Sequence, residues 1–209
     1  MGRPLARVLL MNPNSNAATT AAMVRIAAHV LPDVGGWTAP QGPEMITSPE
    51  ALDAAAMLVG AAEVPPVAGV IVSAFGDPGR AALAQRLRCP VVGIGAAAAQ
   101  EAAWHGSFAV VTTTPGLRAR IDALMQEQAG YTGCFLTGGD PLALMRDSAS
   151  LDVALLTGCR RAASAGARAV IIGGGPLGEA AERLSPAAPL PLISPIRAAA
   201  RLLRDKLSI

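Results

Sequence analysis

Two seven-residue stretches share one design: VIVSAFG at residues 70–76 and VIIGGGP at residues 170–176. Each is a run of apolar, mostly β-branched residues that continues into a turn of small residues. Strands that are apolar throughout are typical of parallel sheets with both faces covered. The stretches lie about half of the 209-residue chain apart, which indicates an internal duplication. We therefore predict two similar lobes that face each other across a cleft, with both turns at that cleft.

Strand and helix patterns alternate along the rest of the chain. Short apolar runs predict strands at residues 6–11, 68–73, 90–94, 107–113 and 168–173, and weaker runs add 36–39, 133–136 and 190–193. The stretches between them predict helices at residues 15–30, 49–63, 79–88, 96–105, 115–128, 150–165 and 195–207. Several of these helices begin with a capping oxygen before a proline, as at Ser48-Pro49 and Ser194-Pro195. The alternation predicts an α/β protein whose helices cover mostly parallel sheets.

Composition excludes several classes of protein. The 17 basic and 15 acidic residues are interspersed, without the basic patch that a nucleic-acid-binding protein presents. The longest uncharged stretch, residues 8–24, is polar at residues 12–16, so we expect neither a membrane span nor a secretory signal. Three cysteines without paired spacing argue against a disulfide framework or a zinc cluster. We expect a cytoplasmic protein that binds no metal, nucleic acid or membrane.

Polar and small residues follow several predicted strands. In parallel α/β sheets, ligands bind at the carboxyl ends of strands, where backbone amides and helix N-termini favour an anion. These residues are Asn12 and Asn14, the loop 40–44 with Gly42, Pro43 and Glu44, residues 73–79, Thr112 to Thr114, and residues 173–178. Singly, each has a structural explanation, and Asp77 before Pro78 is most simply the N-cap of the following helix. Together they predict a pocket for a small carboxylate, amide or imide.

The cysteines and histidines are poorly placed for catalysis. Cys89 and Cys134 stand at the starts of predicted strands, and Cys159 falls inside a predicted helix. Free cysteine commonly serves as a small buried hydrophobe, and we expect that role for all three. His29 and His105 lie near helix ends, where a protonated imidazole complements the helix dipole.

At its turns the sequence resembles the aspartate/glutamate/hydantoin racemase superfamily, most of all its hydantoin and allantoin racemase branch. The resemblance spans nearly the whole chain and rests on NPN at residues 12–14, GP at 42–43, FGDPG at 75–79, PVVGI at 90–94 and TT at 112–113. The FGDPG stretch is the most specific of these. The resemblance implies a homo-oligomer of a protein with two Rossmann-like lobes around a central cleft. We place the lobes at residues 1–95 with 195–209, and at residues 96–194.

The resemblance also implies a mechanism without metal or cofactor. Racemases of the superfamily hold one cysteine on each side of the chiral carbon. One thiolate removes the α-proton, the other thiol returns a proton, and amides and hydroxyls stabilise the enolate-like charge. The matching positions here, immediately before Phe75 and in the glycine-rich turn, are Ala74 and Gly174. Neither residue has a titratable side chain, so the two-thiol mechanism cannot operate in this chain.

Three functions remain open from the sequence. The leading one is a racemase- or epimerase-like isomerase of a small amino acid, hydantoin or ureide, with Asp77 and Ser73 as alternative proton carriers and Glu44 or a threonine of residues 112–114 as further candidates. The others are a carbon-acid lyase such as a decarboxylase and a non-catalytic protein that binds a small carboxylate or ureide. The predicted substrate-binding residues are Asn12, Asn14, Gly42, Pro43, Ala74, Phe75, Gly76, Thr112, Thr113, Gly174 and Gly175.

Overall fold

The computed structural model describes residues 8–209, and strands and helices alternate through that part of the chain. The strands are β1 Val8–Asn12, β2 Val34–Thr38, β3 Gly69–Val72, β4 Val91–Gly93, β5 Phe108–Thr112, β6 Tyr131–Leu136, β7 Ala169–Ile172 and β8 Leu192–Ile193. The helices are α1 Ala17–Ala28, α2 Pro49–Ala61, α3 Arg80–Arg86, α4 Ile94–Ala103, α5 Arg118–Met125, α6 Pro141–Arg146, α7 Ser148–Ser164, α8 Gly178–Leu184 and α9 Pro195–Leu207. Residues 6 and 7 of the first predicted strand lie outside the described residues.

The strands form two parallel sheets of four strands each. The first sheet has the order β2-β1-β3-β4, and the second has the order β6-β5-β7-β8. The second order repeats the first, as a duplication requires. The central strands β1, β3, β5 and β7 are buried along their whole length because helices cover both faces. The predicted two-lobed α/β fold is confirmed.

Strand register brings the polar turns together at one edge of each sheet. Met11 of β1 pairs with Val72 of β3, and Val111 of β5 pairs with Ile172 of β7. The strands run parallel, so the residues after β1 and β3 leave the first sheet side by side. The residues after β5 and β7 do the same in the second sheet. Each lobe therefore presents two adjacent turns at the cleft.

Helices α4 and α9 join the lobes. They pack against each other, α9 also packs on β3 and β4 of the first sheet, and α4 reaches β7 and β8 of the second. One continuous apolar core runs between the sheets and includes Phe75, Phe108 and Ile196, all buried. Smaller clusters cover the outer faces of the two sheets. The lobes thus share a core on one side of the molecule.

Helices α6 and α8 are absent from the sequence-based helices. They contain 6 and 7 residues, which is too short for an apolar periodicity to emerge. The predicted helix at residues 115–128 begins instead with a 3-10 turn at Pro115–Leu117, and α5 follows it. Within residues 8–209, every helix is too short or too polar to cross a bilayer.

Candidate functional site in the cleft between the lobes

The turns after β3 and β7 touch each other across the cleft. A Cβ atom added to Gly175 would lie 2.6 Å from the carbonyl oxygen of Ser73, and one added to Gly173 would lie 3.3 Å from a ring atom of Phe75. Glycine is what permits the closer of these two approaches, because any side chain at residue 175 would collide with backbone. The two similar stretches of sequence therefore converge at one cleft.

A cavity of about 40 Å³ lies between these turns. Its lining from the first lobe is Asn14, Met45, Ile46, Leu52, Ser73, Ala74 and Phe75, and its lining from the second lobe is Thr112 to Thr114, Leu117, Ile121 and Gly173 to Leu177. A single water molecule needs roughly 10–15 Å³ of volume measured in the same way, so the cavity suits a small ligand.

Two polar groups at this cavity lack partners. The Thr113 side chain is buried, and its hydroxyl makes no hydrogen bond with any of residues 8–209. The Asn14 side chain, 4% exposed, accepts from Asn12 Nδ2 at 2.7 Å and from the Asn16 amide at 3.0 Å, but its own Nδ2 donates to no residue in the described range. For the fully buried Thr113 hydroxyl, the missing bond costs roughly 1–3 kcal/mol, which a ligand would recover by bonding to it.

The neighbouring hydroxyls are already occupied. Thr112 Oγ1 donates to the Gly173 carbonyl at 2.7 Å and lies 3.1 Å from Thr114 Oγ1, which ties β5 to the turn after β7. Ser73 Oγ donates to the Met11 carbonyl at 2.7 Å, and this ties β3 to β1. These hydroxyls hold the two turns in place.

The cavity carries no ionisable side chain. Among the described residues that line it, the polar side chains are one amide and four hydroxyls, and the remaining ones are apolar or glycine. Met45, Ile46, Leu52, Leu117 and Ile121 form an apolar wall. A charged ligand would lose its hydration here without gaining a counter-charge. The cavity therefore favours a neutral ligand with an apolar portion.

Asp77 lies behind the turn and binds another helix. Its Oδ1 accepts from the Gly95 amide at 2.7 Å and its Oδ2 accepts from the Ala96 amide at 2.8 Å, in the first turn of α4. Helix α3, which follows Asp77 in the chain, begins after Gly79 without a side-chain cap. The prediction that Asp77 caps the following helix is therefore wrong. Asp77 has a φ of +50°, so its side chain leaves the turn toward β4 and α4.

The ionisation of Asp77 predicts a pH dependence of stability. Burial raises the pKa of this carboxyl from 3.8 to about 6, although the two amide hydrogen bonds lower it. The folded protein then holds this proton more tightly than the unfolded chain, so the stabilisation is complete below about pH 4 and is lost as pH rises to about 6. The loss is at most about 3 kcal/mol, at 1.36 kcal/mol per pKa unit. Urea unfolding of the native chain and of Asp77→Asn, which tolerates the positive φ, measures this loss. The native chain should lose stability relative to Asp77→Asn between about pH 4 and pH 6, and a relative gain over that range contradicts the prediction.

Other predicted residues lie outside the cavity lining. Asn12 is fully buried behind Asn14, and its Nδ2 also donates to the Thr20 hydroxyl at 2.9 Å. Gly42 and Pro43 are exposed, and their carbonyl oxygens accept from Ser15. These residues shape the loop that carries Met45 and Ile46.

Gly76 and Glu44 also lie outside the cavity lining. Gly76 has a φ of +115° and faces Leu52 from behind the cavity wall. Glu44 is exposed on the loop after β2 and does not line the cavity. The cavity lining does not include Asn12, Gly42, Pro43 or Gly76, so its geometry does not support the substrate contacts predicted for them. Those contacts remain predictions.

The cysteines lie away from the cavity. Cys134 and Cys159 are buried, Cys89 is half-buried, and none of the three lines it. Burial raises the pKa of Cys134 to about 12 and that of Cys159 to about 11, so both remain neutral thiols near pH 7. Their positions agree with the role of small buried hydrophobes.

Sequence reasoning missed the apolar wall. Leu52 stands on α2, Leu117 in the 3-10 turn before α5, and Ile121 on α5, and each looks like an ordinary core position in the sequence. Met45 and Ile46 follow the exposed loop directly, and nothing in their spacing sets them apart. No local signal distinguishes a residue facing a cavity from one facing the core.

The protein consists of two duplicated α/β lobes, and a small cavity lies where their strand-end turns meet. This arrangement defines a class of α/β proteins with a binding site in the cleft between two lobes. Comparison with known proteins makes the class specific: residues 8–203 match the family model for Asp/Glu/hydantoin racemases. The chain belongs to the Asp/Glu/hydantoin racemase family. It therefore falls in the class of racemase-type isomerases.

Individual relatives agree with this assignment. The chain is 30% identical to a hydantoin racemase of Paenarthrobacter aurescens over 94% of this chain and 89% of the relative. Among solved structures, it resembles an allantoin racemase of Klebsiella pneumoniae with 25% identity and a TM-score of 0.85, over 97% of this chain and 88% of that one. An allantoin racemase of Pseudomonas fluorescens shares the fold with a TM-score of 0.87 at 24% identity, over 97% and 91% of the two chains.

Proposed function

We propose that this protein binds a small neutral cyclic ureide or imide in the cleft and acts on it as a racemase-type isomerase. The observation that carries the proposal is the buried hydroxyl of Thr113, which has no partner among residues 8–209 and lies beside a cavity that these residues line without a charged side chain. Hydantoin and allantoin, the substrates named for the relatives, are neutral cyclic ureides of this kind.

Backbone donors at the cavity support stabilisation of an enolate. The amides of Ala74, Phe75, Gly174 and Gly175 donate no backbone or side-chain hydrogen bond within residues 8–209. Both pairs belong to turns that line the cavity. Donors held in place before the reaction stabilise charge that develops on a carbonyl oxygen when the α-proton leaves. The arrangement therefore favours the acidic C–H bond beside a ligand carbonyl.

The proton carrier in this proposal is solvent. The Asp77 carboxylate is bonded to the start of α4 and does not line the cavity, and the Ser73 hydroxyl spends its own proton on the Met11 carbonyl. Hydroxyl groups are weak bases without an activating partner, and the cavity lining provides none. Water or hydroxide thus exchanges the α-proton while the protein stabilises the enolate. The expected turnover is slow.

Proton exchange in D2O tests the proposal. The protein is incubated with single enantiomers of 5-methylhydantoin, 5-benzylhydantoin, allantoin, alanine and glutamate, and the α-proton signal is followed by NMR beside the loss of optical rotation. We expect exchange with loss of optical rotation for the neutral rings, above the protein-free rate, and none for the amino acids. Exchange of glutamate but of no ring would overturn the proposal.

A second function is a ligand-binding homologue without turnover. The described residues that line the cavity include no titratable side chain, and this favours the second function. In this case the same rings raise the melting temperature increasingly with their concentration, but their α-protons exchange only at the protein-free rate. The two measurements together separate an isomerase from a binding protein.

Thr113→Val removes the unpaired hydroxyl at nearly constant shape. Since that hydroxyl has no partner within the described residues, we expect unchanged or slightly raised stability. Binding of the ring ligand is expected to weaken about 5- to 10-fold, the loss of one neutral hydrogen bond. Calorimetric titration and thermal unfolding measure both effects. Thr157→Val, on the exposed face of α7, is the matched control; equal affinity in both variants and the native protein contradicts a role for Thr113.

A further inference from the structure

A second cavity lies at the start of α9, away from the cleft. Its volume is about 230 Å³, and it is bordered by Glu101 of α4, Glu182 of α8, and Ser194, Arg197 and Arg201 at and beyond the start of α9. None of these residues lines the cavity in the cleft. The two cavities are separate sites in the fold.

Hydrogen-bond donors at the start of α9 are unused. Ser194 occupies the N-cap position and is 9% exposed, and its hydroxyl neither caps the helix nor bonds to any other described residue. The amides of Ile196 and Arg197 in the first turn also donate to no group within residues 8–209. The helix has 13 residues, so its N-terminus carries a substantial partial positive charge. These groups together are suited to an oxyanion.

The surrounding charges limit which anion fits. Arg197 Nε donates to Glu182 Oε1 at 2.6 Å, and its Nη2 lies 2.5 Å from Oε2 in the same ion pair. Arg201 Nη1 donates to Glu101 Oε1 at 2.8 Å. The two cations and two anions cancel. The excess positive charge is therefore the partial charge of the helix N-terminus, which a single negative charge matches better than a double one.

We propose that this second cavity binds a small organic carboxylate at the N-terminus of α9. One carboxylate oxygen accepts from the Ser194 hydroxyl and the other from the free first-turn amides. The guanidinium groups of Arg197 and Arg201 keep unused N–H donors beside their glutamate bonds and face the same space. A phosphate dianion is disfavoured because the partial positive charge of the helix N-terminus cannot compensate its second negative charge.

Titration with sodium acetate tests the site directly. The amide resonances of Ile196 and Arg197 are followed by NMR at constant ionic strength, with sodium chloride as the blank and sodium phosphate as a second arm. We expect saturable shifts with acetate and weaker binding of phosphate. Absent or non-saturating shifts overturn the site, and tighter binding of phosphate overturns the charge argument.

Two substitutions at one residue act in opposite directions. Ser194→Ala removes the hydroxyl and is expected to weaken acetate binding at least 5-fold without loss of stability. Ser194→Asp supplies an internal carboxylate, which is expected to raise the melting temperature and abolish the response to acetate. Arg183→Gln, paired with Asp152 outside the cavity, is the control and should bind as the native protein does. Acetate binding that survives both changes at Ser194 refutes the proposal.

This test is independent of the proposed function of the cleft. The residues changed do not line the cleft cavity, and the readout is acetate binding rather than proton exchange.

Discussion

Replacing Ala74 and Gly174 together by cysteine is expected to raise the rate of α-proton exchange on a bound hydantoin about 10²- to 10⁴-fold, the usual contribution of positioned acid–base groups. Both positions line the cleft cavity, one in each lobe. Ala74 already carries a Cβ. A Cβ at Gly174 would lie 3.2 Å from the Leu177 side chain, which requires a small shift of that side chain and a movement of φ from +158° into the extended range.

Comparison of the single variant Ala74→Cys with the double variant separates exchange from inversion. Ala74→Cys alone places a thiol on one face of the substrate, so it is expected to exchange the α-proton for deuterium with retention of configuration. The double variant is expected to exchange with inversion, because a thiol then stands on each face. The matched control is the double change to serine, which has nearly the same shape but a much more weakly acidic group.

NMR in D2O together with polarimetry reads both properties. A folded double-cysteine variant that performs no better than its double-serine control would show that the cleft does not hold the α-carbon between residues 74 and 174. Such a result would remove the basis for the proposed function.

Gly93→Ala is expected to lower the free energy of unfolding by about 3 kcal/mol, or the melting temperature by about 6–12 °C. The Cβ of an alanine at this position would lie 2.1 Å from the Asp77 Cγ, so the carboxylate must leave its place. The backbone of Gly93 itself is extended, with φ of −108° and ψ of 147°, and accepts alanine without strain. The expected loss comes from the collision alone.

A double-mutant cycle isolates that cause. In an Asp77→Gly background the carboxylate is gone and the positive φ of residue 77 is relieved, so the added methyl group has room. We expect Gly93→Ala to cost less than about 1 kcal/mol there, which is a coupling of about 2 kcal/mol. Gly138→Ala, where an added Cβ meets nothing within 4 Å, controls for a general effect of replacing glycine. Equal losses in the native and Asp77→Gly backgrounds would show that the collision is not the cause.

The partner of Asp77 illustrates what sequence reasoning could not reach. Local rules favour a cap on the next helix, because an aspartate before a proline satisfies the first-turn amides of its own segment. The structure instead pairs Val72 with Gly93, and this places the start of α4 beside Asp77, 18 and 19 residues along the chain. Non-local pairing overrode the local preference.

The strands and the meeting of the two turns were accessible from local patterns. Apolar β-branched runs such as residues 70–72 and 170–172 predict buried parallel strands, and parallel strands end at a common edge. The duplication within the sequence then places Ser73 to Gly76 opposite Gly173 to Pro176. Short helices such as α6 and α8 escaped because they span fewer than two turns.

Strand pattern and turn chemistry can be read from neighbouring residues in the chain, since they depend on residue type and short spacing. Which donors remain unpaired could be learned only from the folded molecule. The hydroxyls of Thr113 and Ser194, which have no partner within residues 8–209, look no different in sequence from the paired hydroxyl of Thr112. Hydrogen-bond satisfaction depends on groups that packing brings from distant parts of the chain, and so the folded arrangement determines where a ligand is needed.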